Sequence, residues 1–169
     1  MTDYINLLKA YEEASNRHDV EGCTSMFTED GSIVLMGDVF AGVDAIRAAH
    51  EYDLASQTFV KFLNPQAEGN VVRCAFWNQH ELSRSIGDGG MTGSAEFIFE
   101  GERIKTFNIL PPDEEERARV REMADPVFKW LRKHHSDLVD KTMGFDRFAG
   151  EAVFKLAELW REHLKAEEK

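Results

Sequence analysis

The stretch 69–110 alternates apolar and polar residues on either side of short turns that contain glycine. Before Ser85–Gly90 the apolar positions of one parity are Val72, Cys74, Phe76 and Leu82, and after it they are Met91, Ala95, Phe97 and Phe99. A period of two is typical of strands that bury one face. Because a slip of one residue would bury the polar positions instead, the pattern also fixes the strand register. It predicts three antiparallel strands that wall a pocket.

The first of these turns decides which residues of the first two strands lie opposite each other. Gly87-Asp88 suits a two-residue hairpin turn, in which glycine supplies a positive φ angle. Such a turn places His80 opposite Ala95 and Asn78 opposite Phe97. We therefore expect a small side chain, and room for a ligand, across from His80.

Asn78 and His80 interrupt the apolar face of the predicted strand. A buried polar side chain without a partner costs about 1–3 kcal/mol, so each of the two needs a hydrogen bond or a ligand. One interpretation is a histidine that is satisfied within the core or at a wet sheet edge. The other is that the two side chains form the polar end of an apolar pocket.

Residues 3–66 complete this predicted domain with helices and shorter strands. Helical spacing predicts helices at 3–18, 20–27 and 43–54, and alternation predicts strands at 32–36, 39–41 and 57–66. Pro65 indicates an edge strand or a bulge. Gly69-Asn70 and Gly101-Glu102 predict hairpin turns, and the parity of Ile104 predicts a bulge after the second turn.

The residues after Leu110 have a different character, because Pro111-Pro112 end the sheet and helical periodicity follows. We expect one helix to start at the acidic run Glu114–Glu116, Pro126 to start or kink a second, and a third to start at residue 147. Their apolar stripes must be buried on the sheet, on each other or on a second subunit. The sequence thus predicts a domain at 1–111 and a helical extension at 112–169.

The length and charge of the chain exclude several classes of protein. A length of 169 residues suits one domain, or one domain with an appendage. A net charge of −11 argues against nucleic acid and anionic membranes as partners, and no apolar run approaches the roughly 20 residues of a membrane span. The start MTDYINLL lacks the pattern of a signal peptide. Cys23 and Cys74 are expected to be reduced core thiols of a cytoplasmic protein.

Nothing in the sequence indicates a metal ion or an organic cofactor. His80-Glu81 begins like the zinc motif HExxH, but Arg84 occupies the position of the second histidine. His134 and His135 would point about 100° apart on a helix and cannot easily share one ion. We therefore expect no metal and no cofactor.

The order of elements and three short motifs resemble the nuclear transport factor 2-like, or SnoaL-like, superfamily. The motifs are Arg17-His18-Asp19 between the first two helices, Phe27…Asp30 before the first strand, and Gly42–Arg47 at the start of the third helix. The resemblance covers residues 4–110 and implies an α+β cone, in which a strongly curved, mostly antiparallel sheet wraps three N-terminal helices. The C-terminal helices lie outside the family pattern. Most members pair through sheet faces, which implies a homodimer.

The family's activities can be compared with this chain residue by residue. Members include ketosteroid isomerases, dehydratases, polyketide cyclases, epoxide hydrolases and non-catalytic binding modules. Tyr11 matches the tyrosine of ketosteroid isomerases that donates to the substrate oxygen, although helical periodicity also explains it as core. Their general-base aspartate falls at Leu35 or Met36, and their oxyanion aspartate falls at Ala95. The resemblance therefore does not imply that form of the chemistry here.

The residues of the predicted pocket favour acid–base chemistry. His80 is the candidate general acid or base, since an unperturbed imidazole titrates near neutral pH. Tyr11 and Asn78 are candidate hydrogen-bond donors to a substrate oxygen. The candidate apolar walls, each of which also fits plain core packing, are Met36, Phe59, Phe76, Phe97 and Phe107.

Two hypotheses follow for function. The first is a small cofactor-independent lyase, isomerase or cyclase that acts on an apolar carbonyl compound. The second is a non-catalytic ligand-binding or assembly module, whose helical extension forms a protein interface. A further polar group, His50, Tyr52 and Asp53, is also explained as an ordinary helix end.

Overall fold

The computed structural model describes all 169 residues and contains one six-stranded sheet. The strands are β1 Phe27–Leu35, β2 Asp38–Ala41, β3 Phe59–Glu68, β4 Val71–Gln79, β5 Met91–Glu100 and β6 Arg103–Ile109, in the spatial order β2-β1-β6-β5-β4-β3. The helices are α1 Tyr4–Asn16, α2 Val20–Ser25, α3 Val43–Ser56, α4 Glu81–Ile86, α5 Glu114–Asp140 and α6 Arg147–Glu167, with a 3₁₀ turn at Lys141–Met143. Only β1 and β6 pair in parallel. The predicted α+β architecture is confirmed.

The sheet and the first three helices enclose one hydrophobic core. Its members include Leu8 and Tyr11 of α1, Ile46 of α3, and Phe62 and Phe97 of the sheet. Each is less than a tenth exposed, and the strand residues among them occupy alternate positions. The pattern of period two therefore sets which face of the sheet meets the helices.

Several turn and bulge predictions are confirmed. Gly69-Asn70 connects β3 to β4, and Gly101-Glu102 connects β5 to β6, where the ladder shifts register between Ile98 and Phe99. β3 is an edge strand, and its pairing with β4 shifts around Pro65. Proline has no N–H to give to a ladder, which explains its place at this edge.

The predicted turn within Ser85–Gly90, and the register derived from it, are wrong. The chain forms the short helix α4 between β4 and β5 instead of a hairpin. His80 caps the start of α4, and Gly87 ends it with a φ of 80°. As a result Asn78 pairs with Met91 instead of Phe97, and His80 lies beyond the ladder.

The α4 helix also changes what Leu82 packs against. The alternating pattern predicted that Leu82 would share the apolar face of the sheet with Val72, Cys74 and Phe76. Leu82 belongs to a second hydrophobic cluster, built largely from the extension, whose other fully buried members include Leu131 of α5 and Leu156 of α6. The extension thus packs on itself and on the helices of the first domain. The predicted division at 111/112 stays a prediction.

Helix α5 runs through Pro126 without starting a new helix there, and its break in helical geometry lies at His135, with φ −141° and ψ 42°. Helix α6 then packs against α3. At the contact, a Cβ on Gly150 would lie 2.6 Å from the Tyr52 carbonyl oxygen and 2.9 Å from the Cβ of Ala55. Glycine is therefore needed for the approach of these two helices. None of the helices combines the length and the apolarity that a membrane crossing requires.

We predict that Gly150→Ala lowers the free energy of unfolding by about 1–3 kcal/mol, because the added methyl group forces α6 away from α3. Thermal and urea unfolding followed by circular dichroism measure this loss. The matched control is Glu162→Ala, at an exposed position of the same helix. Equal stability of the two variants would contradict the proposed close contact.

Candidate functional site

A cavity of about 410 Å³ opens between the sheet, α1, α3 and the segment that joins α5 to α6. Of the predicted apolar walls, Met36, Phe76 and Phe107 line it. Its volume lies in the range of small-molecule sites, about 300–1,000 Å³. The predicted catalytic residues Tyr11, Asn78 and His80 all line the same cavity.

Two of the predicted wall residues, Phe59 and Phe97, do not line the cavity. Phe59 has the opposite parity to Val60, so it lies on the outer face of the sheet, 37% exposed, beside His18 and Arg84. Phe97 is fully buried, and its ring stacks on Phe107 with centroids 4.3 Å apart. Phe97 therefore supports a wall residue from behind and cannot itself touch a ligand.

His80 lies where β4 ends and α4 begins. Its Nδ1 accepts a hydrogen bond from the backbone N–H of Ser83 at 3.1 Å. Burial lowers the pKa of the imidazole, while the nearby Asp88 carboxylate acts in the opposite direction. A neutral ring whose Nδ1 accepts must carry its proton on Nε2. His80 therefore presents an N–H donor on its remaining edge.

The β3–β4 ladder places two further polar residues beside His80. Val60 pairs with Asn78 and Phe59 with Gln79, so Thr58 lies next to His80 just beyond the last pair. No hydrogen bond within the protein engages the Asn78 carboxamide, which faces the cavity. Asn78, Thr58 and His80 thus form one polar patch at the end of β3 and β4.

Tyr11 and His50 form a buried pair, with the hydroxyl oxygen 2.9 Å from Nε2. Burial lowers the pKa of His50 to about 4, against the effect of the Ile46 backbone carbonyl, and raises that of Tyr11 well above its usual value. His50 Nδ1 is buried without a hydrogen-bond partner, and the direction of the bond between Tyr11 and Nε2 depends on the tautomer of the ring. Tyr11 lines the cavity, and its hydroxyl group is already engaged by His50.

Asp53 is a cavity residue that the sequence reasoning treated as an ordinary helix end. It lies in the last turn of α3. Burial raises the pKa of its carboxyl group to about 7, although a hydrogen bond with Thr58 acts in the opposite direction. Gln57 ends the helix in the left-handed conformation, with φ 53°, and β3 follows two residues later. This immediate return into the sheet encloses the end of the helix. The short connection between α3 and β3 is the sequence feature that could have predicted the burial of Asp53.

The cavity has a polar side and an apolar side. The polar side follows α3, β3 and β4, and includes Asp53, Thr58, Asn78 and His80. The apolar side follows β1, β2 and β6 at the other end of the sheet order; its apolar residues are Ile33, Leu35, Met36, Phe40 and Ile109, and the exposed Asp38 lies among them. An apolar molecule with one polar end fits this division. No group of three or more His, Cys, Asp or Glu side chains is arranged to hold a metal ion.

We predict that Asp53→Asn becomes more stable relative to wild type as pH rises from about 4 to 7. The folded carboxyl, with its pKa raised to about 7, holds a proton that the unfolded chain releases near pH 4. Wild-type stability therefore falls across this window, by up to about 4 kcal/mol, and the variant lacks that fall. Urea unfolding at a series of pH values measures the difference.

His50→Gln should show the opposite dependence of stability on pH. With its pKa lowered to about 4, the folded imidazole stays neutral in the range below about pH 6.5 where the unfolded chain binds a proton. Relative to wild type, this variant gains stability as pH falls from about 6.5 to 4. A parallel pH dependence of the two variants would contradict the assigned environments of Asp53 and His50.

No protein family and no curated protein matches this chain in sequence. Solved structures do match. A cystatin-fold protein from Novosphingobium aromaticivorans is 21% identical over 66% of this chain and 100% of its own, with a TM-score of 0.55. The epoxide hydrolase/cyclase-like enzyme SalBIII of salinomycin pyran-ring formation is 17% identical over 66% and 91%, with a TM-score of 0.57.

A putative polyketide cyclase from Xanthomonas campestris is 19% identical over 69% of this chain and 95% of its own, with a TM-score of 0.53. These structures are matched almost in full, while about a third of this chain has no counterpart in them. The part of this chain without a counterpart is about as long as the helical extension. The chain has the nuclear transport factor 2-like fold, as its sequence motifs predicted.

Proposed function

We propose that this protein is a small enzyme that needs no cofactor and carries out lyase, isomerase or cyclase-type chemistry on an apolar carbonyl compound. One observation carries the proposal: Asp53 and His80, two ionisable side chains, face one predominantly apolar cavity. The similarity to polyketide cyclases and to an epoxide hydrolase/cyclase-like enzyme supports it at the level of the fold.

The two ionisable groups suit different tasks. A carboxyl group with a pKa of about 7 is a competent proton acceptor and donor near neutral pH. The Nε2–H of His80 and the amide of Asn78 are donors for a carbonyl oxygen. His80, predicted as a general acid or base, would thus act from its donor edge.

The proposed step is removal of a proton next to the carbonyl. The Asp53 carboxylate takes the proton from the α-carbon, and the C–H electron pair moves through the carbon to the carbonyl oxygen. His80 and Asn78 hydrogen-bond the resulting enolate oxygen. The protonated Asp53 then returns its proton, either to another carbon, which is isomerisation, or to a leaving hydroxyl, which is elimination of water.

A non-catalytic binding module is the second candidate. It is favoured by Thr142–Phe145 at the rim, which hold the cavity partly closed, and by the absence of aspartates at Leu35 and Ala95. The homodimer and the apolar small-molecule partner remain proposals in either case. The buried, unpaired thiols of Cys23 and Cys74 support the proposed cytoplasmic location.

We predict that the protein accelerates deuterium exchange at the α-carbon of 2-tetralone, a compact apolar ketone, in D₂O. The exchange rate should rise with pH through about 7 as Asp53 ionises. Asp53→Asn and His80→Ala should each slow exchange about 100-fold or more, the usual contribution of positioned acid–base groups. Proton NMR of the ketone measures the rate.

Asp125→Asn, at an exposed position of α5, is the matched control and should exchange at the wild-type rate. His80→Gln, which keeps an N–H donor at a similar reach, should retain more activity than His80→Ala. Wild-type protein that exchanges 2-tetralone no faster than Asp53→Asn would refute the proposed chemistry and favour the binding module.

A further inference from the structure

The helical extension contributes part of the cavity wall. Thr142, Met143, Gly144 and Phe145 line it, although they follow β6, the last strand, by more than thirty residues. Met143 is 82% exposed and marks the rim together with Met36, which is 44% exposed. Phe145 is half-buried and packs against the core of the first domain.

Phe145 is held in place from both sides. Its ring centroid lies 5.1 Å from that of Phe40 on β2 and 5.1 Å from that of Tyr52 on α3. The next residue, Asp146, caps α6 by accepting a hydrogen bond from the Ala149 backbone N–H at 3.0 Å. Helix α6 is itself fixed by the close approach of Gly150 to α3.

A second contact anchors the extension beside the polar patch. Arg161 of α6 forms an ion pair with Glu81, the first residue of α4, and Glu81 is only 18% exposed. Arg84 joins the same carboxylate and also reaches the Gln57 carbonyl oxygen at the end of α3. These contacts connect the extension to α4, which positions His80, and to the end of α3. They therefore keep the spacing between Phe145 and the polar patch constant.

Phe145 packs on Phe40 of the apolar side and on Tyr52 of α3, and the polar residues at the end of β3 and β4 lie at the other end of the sheet order from Phe40. A ligand that places its oxygen near His80 and Asn78 must direct its apolar end towards β1, β2 and Phe145. The length of that apolar end is then limited by the Phe145 ring. Without the extension, this end of the cavity would be open to solvent.

We propose that the helical extension completes the ligand site and that Phe145 sets the greatest length of ligand that the site accepts. The ligand class is a compact, largely apolar molecule with one oxygen-bearing end. The oxygen-bearing end rests on the function proposed above, whereas the length limit is a property of binding and needs no turnover.

The test is binding of a homologous series, phenol and its 4-ethyl, 4-butyl, 4-hexyl and 4-octyl derivatives, by isothermal titration calorimetry. In the wild type, each methylene that enters the apolar side should strengthen binding about fourfold, the equivalent of about 0.8 kcal/mol per buried CH₂. Beyond a limiting length the affinity should fall. Phe145→Ala should move this limit to chains at least two carbons longer.

Phe148→Ala is the matched control, because Phe148 belongs to the same extension but is 66% exposed and does not line the cavity. It should leave the limiting length unchanged. Phe145→Leu, which keeps most of the packing, should give a smaller shift than Phe145→Ala and guards against a variant that folds poorly.

The inference is overturned if the limiting length is the same in wild type, Phe145→Ala and Phe145→Leu, if Phe148→Ala shifts it equally, or if the wild type binds no member of the series. These outcomes are separate from those of the exchange experiment. A shifted length limit without catalysis of 2-tetralone exchange would refute the enzyme proposal and support the role of Phe145. Catalysis with an unshifted limit would support the enzyme proposal and refute the role of Phe145.

Discussion

The enclosure of α3 between the sheet core and α6 is the constraint on which the chemistry of this molecule depends. Ile46 and Ala49 of α3 face the core and are fully buried, while Gly150 of α6 closes the opposite side. His50 and Asp53, in the second half of α3, are consequently largely withdrawn from water. Desolvation then opposes charge on both His50 and Asp53, which lowers the pKa of the imidazole and raises that of the carboxyl.

The second constraint is the interruption of the sheet at His80. Because His80 caps α4, one ring nitrogen accepts the Ser83 backbone N–H and the ring is held at the end of β4. The loop after α4 is fixed in turn, since Asp88 accepts from the Gly90 N–H at 2.8 Å and Arg119 of α5 donates to the carbonyl oxygens of Asp88 and Gly90. The hydrogen bond by which His80 caps α4 therefore also selects its tautomer, in which Nε2 carries the proton and can donate to a ligand.

The predictions from sequence succeeded where the strand pattern was long and failed where it was short. Ten residues of alternation define β5, and the two-residue turn at Gly101-Glu102 fixes its pairing with β6. The six residues of α4 are too few to separate a helical from an extended period, so Gly87-Asp88 was interpreted as a hairpin turn. Phe97 was misassigned for a different reason: the alternation of β5 places it on the inner face correctly, but its distance from the cavity depends on the ring of Phe107 stacked upon it.

The sequence by itself determined the alternating strands and the turns at Gly69-Asn70 and Gly101-Glu102, because periodicity and turn residues act locally along the chain. The cone and the place of Tyr11 were predicted from the family resemblance, and those of Asn78 and His80 from a register that the structure corrects. Only the tertiary structure decided that Asp53 belongs to that cavity and that the extension forms part of its wall. Both features arise from contacts between segments far apart in sequence, such as α3 with α6. Burial and the pKa shifts that follow from it are properties of those contacts, which no local pattern encodes.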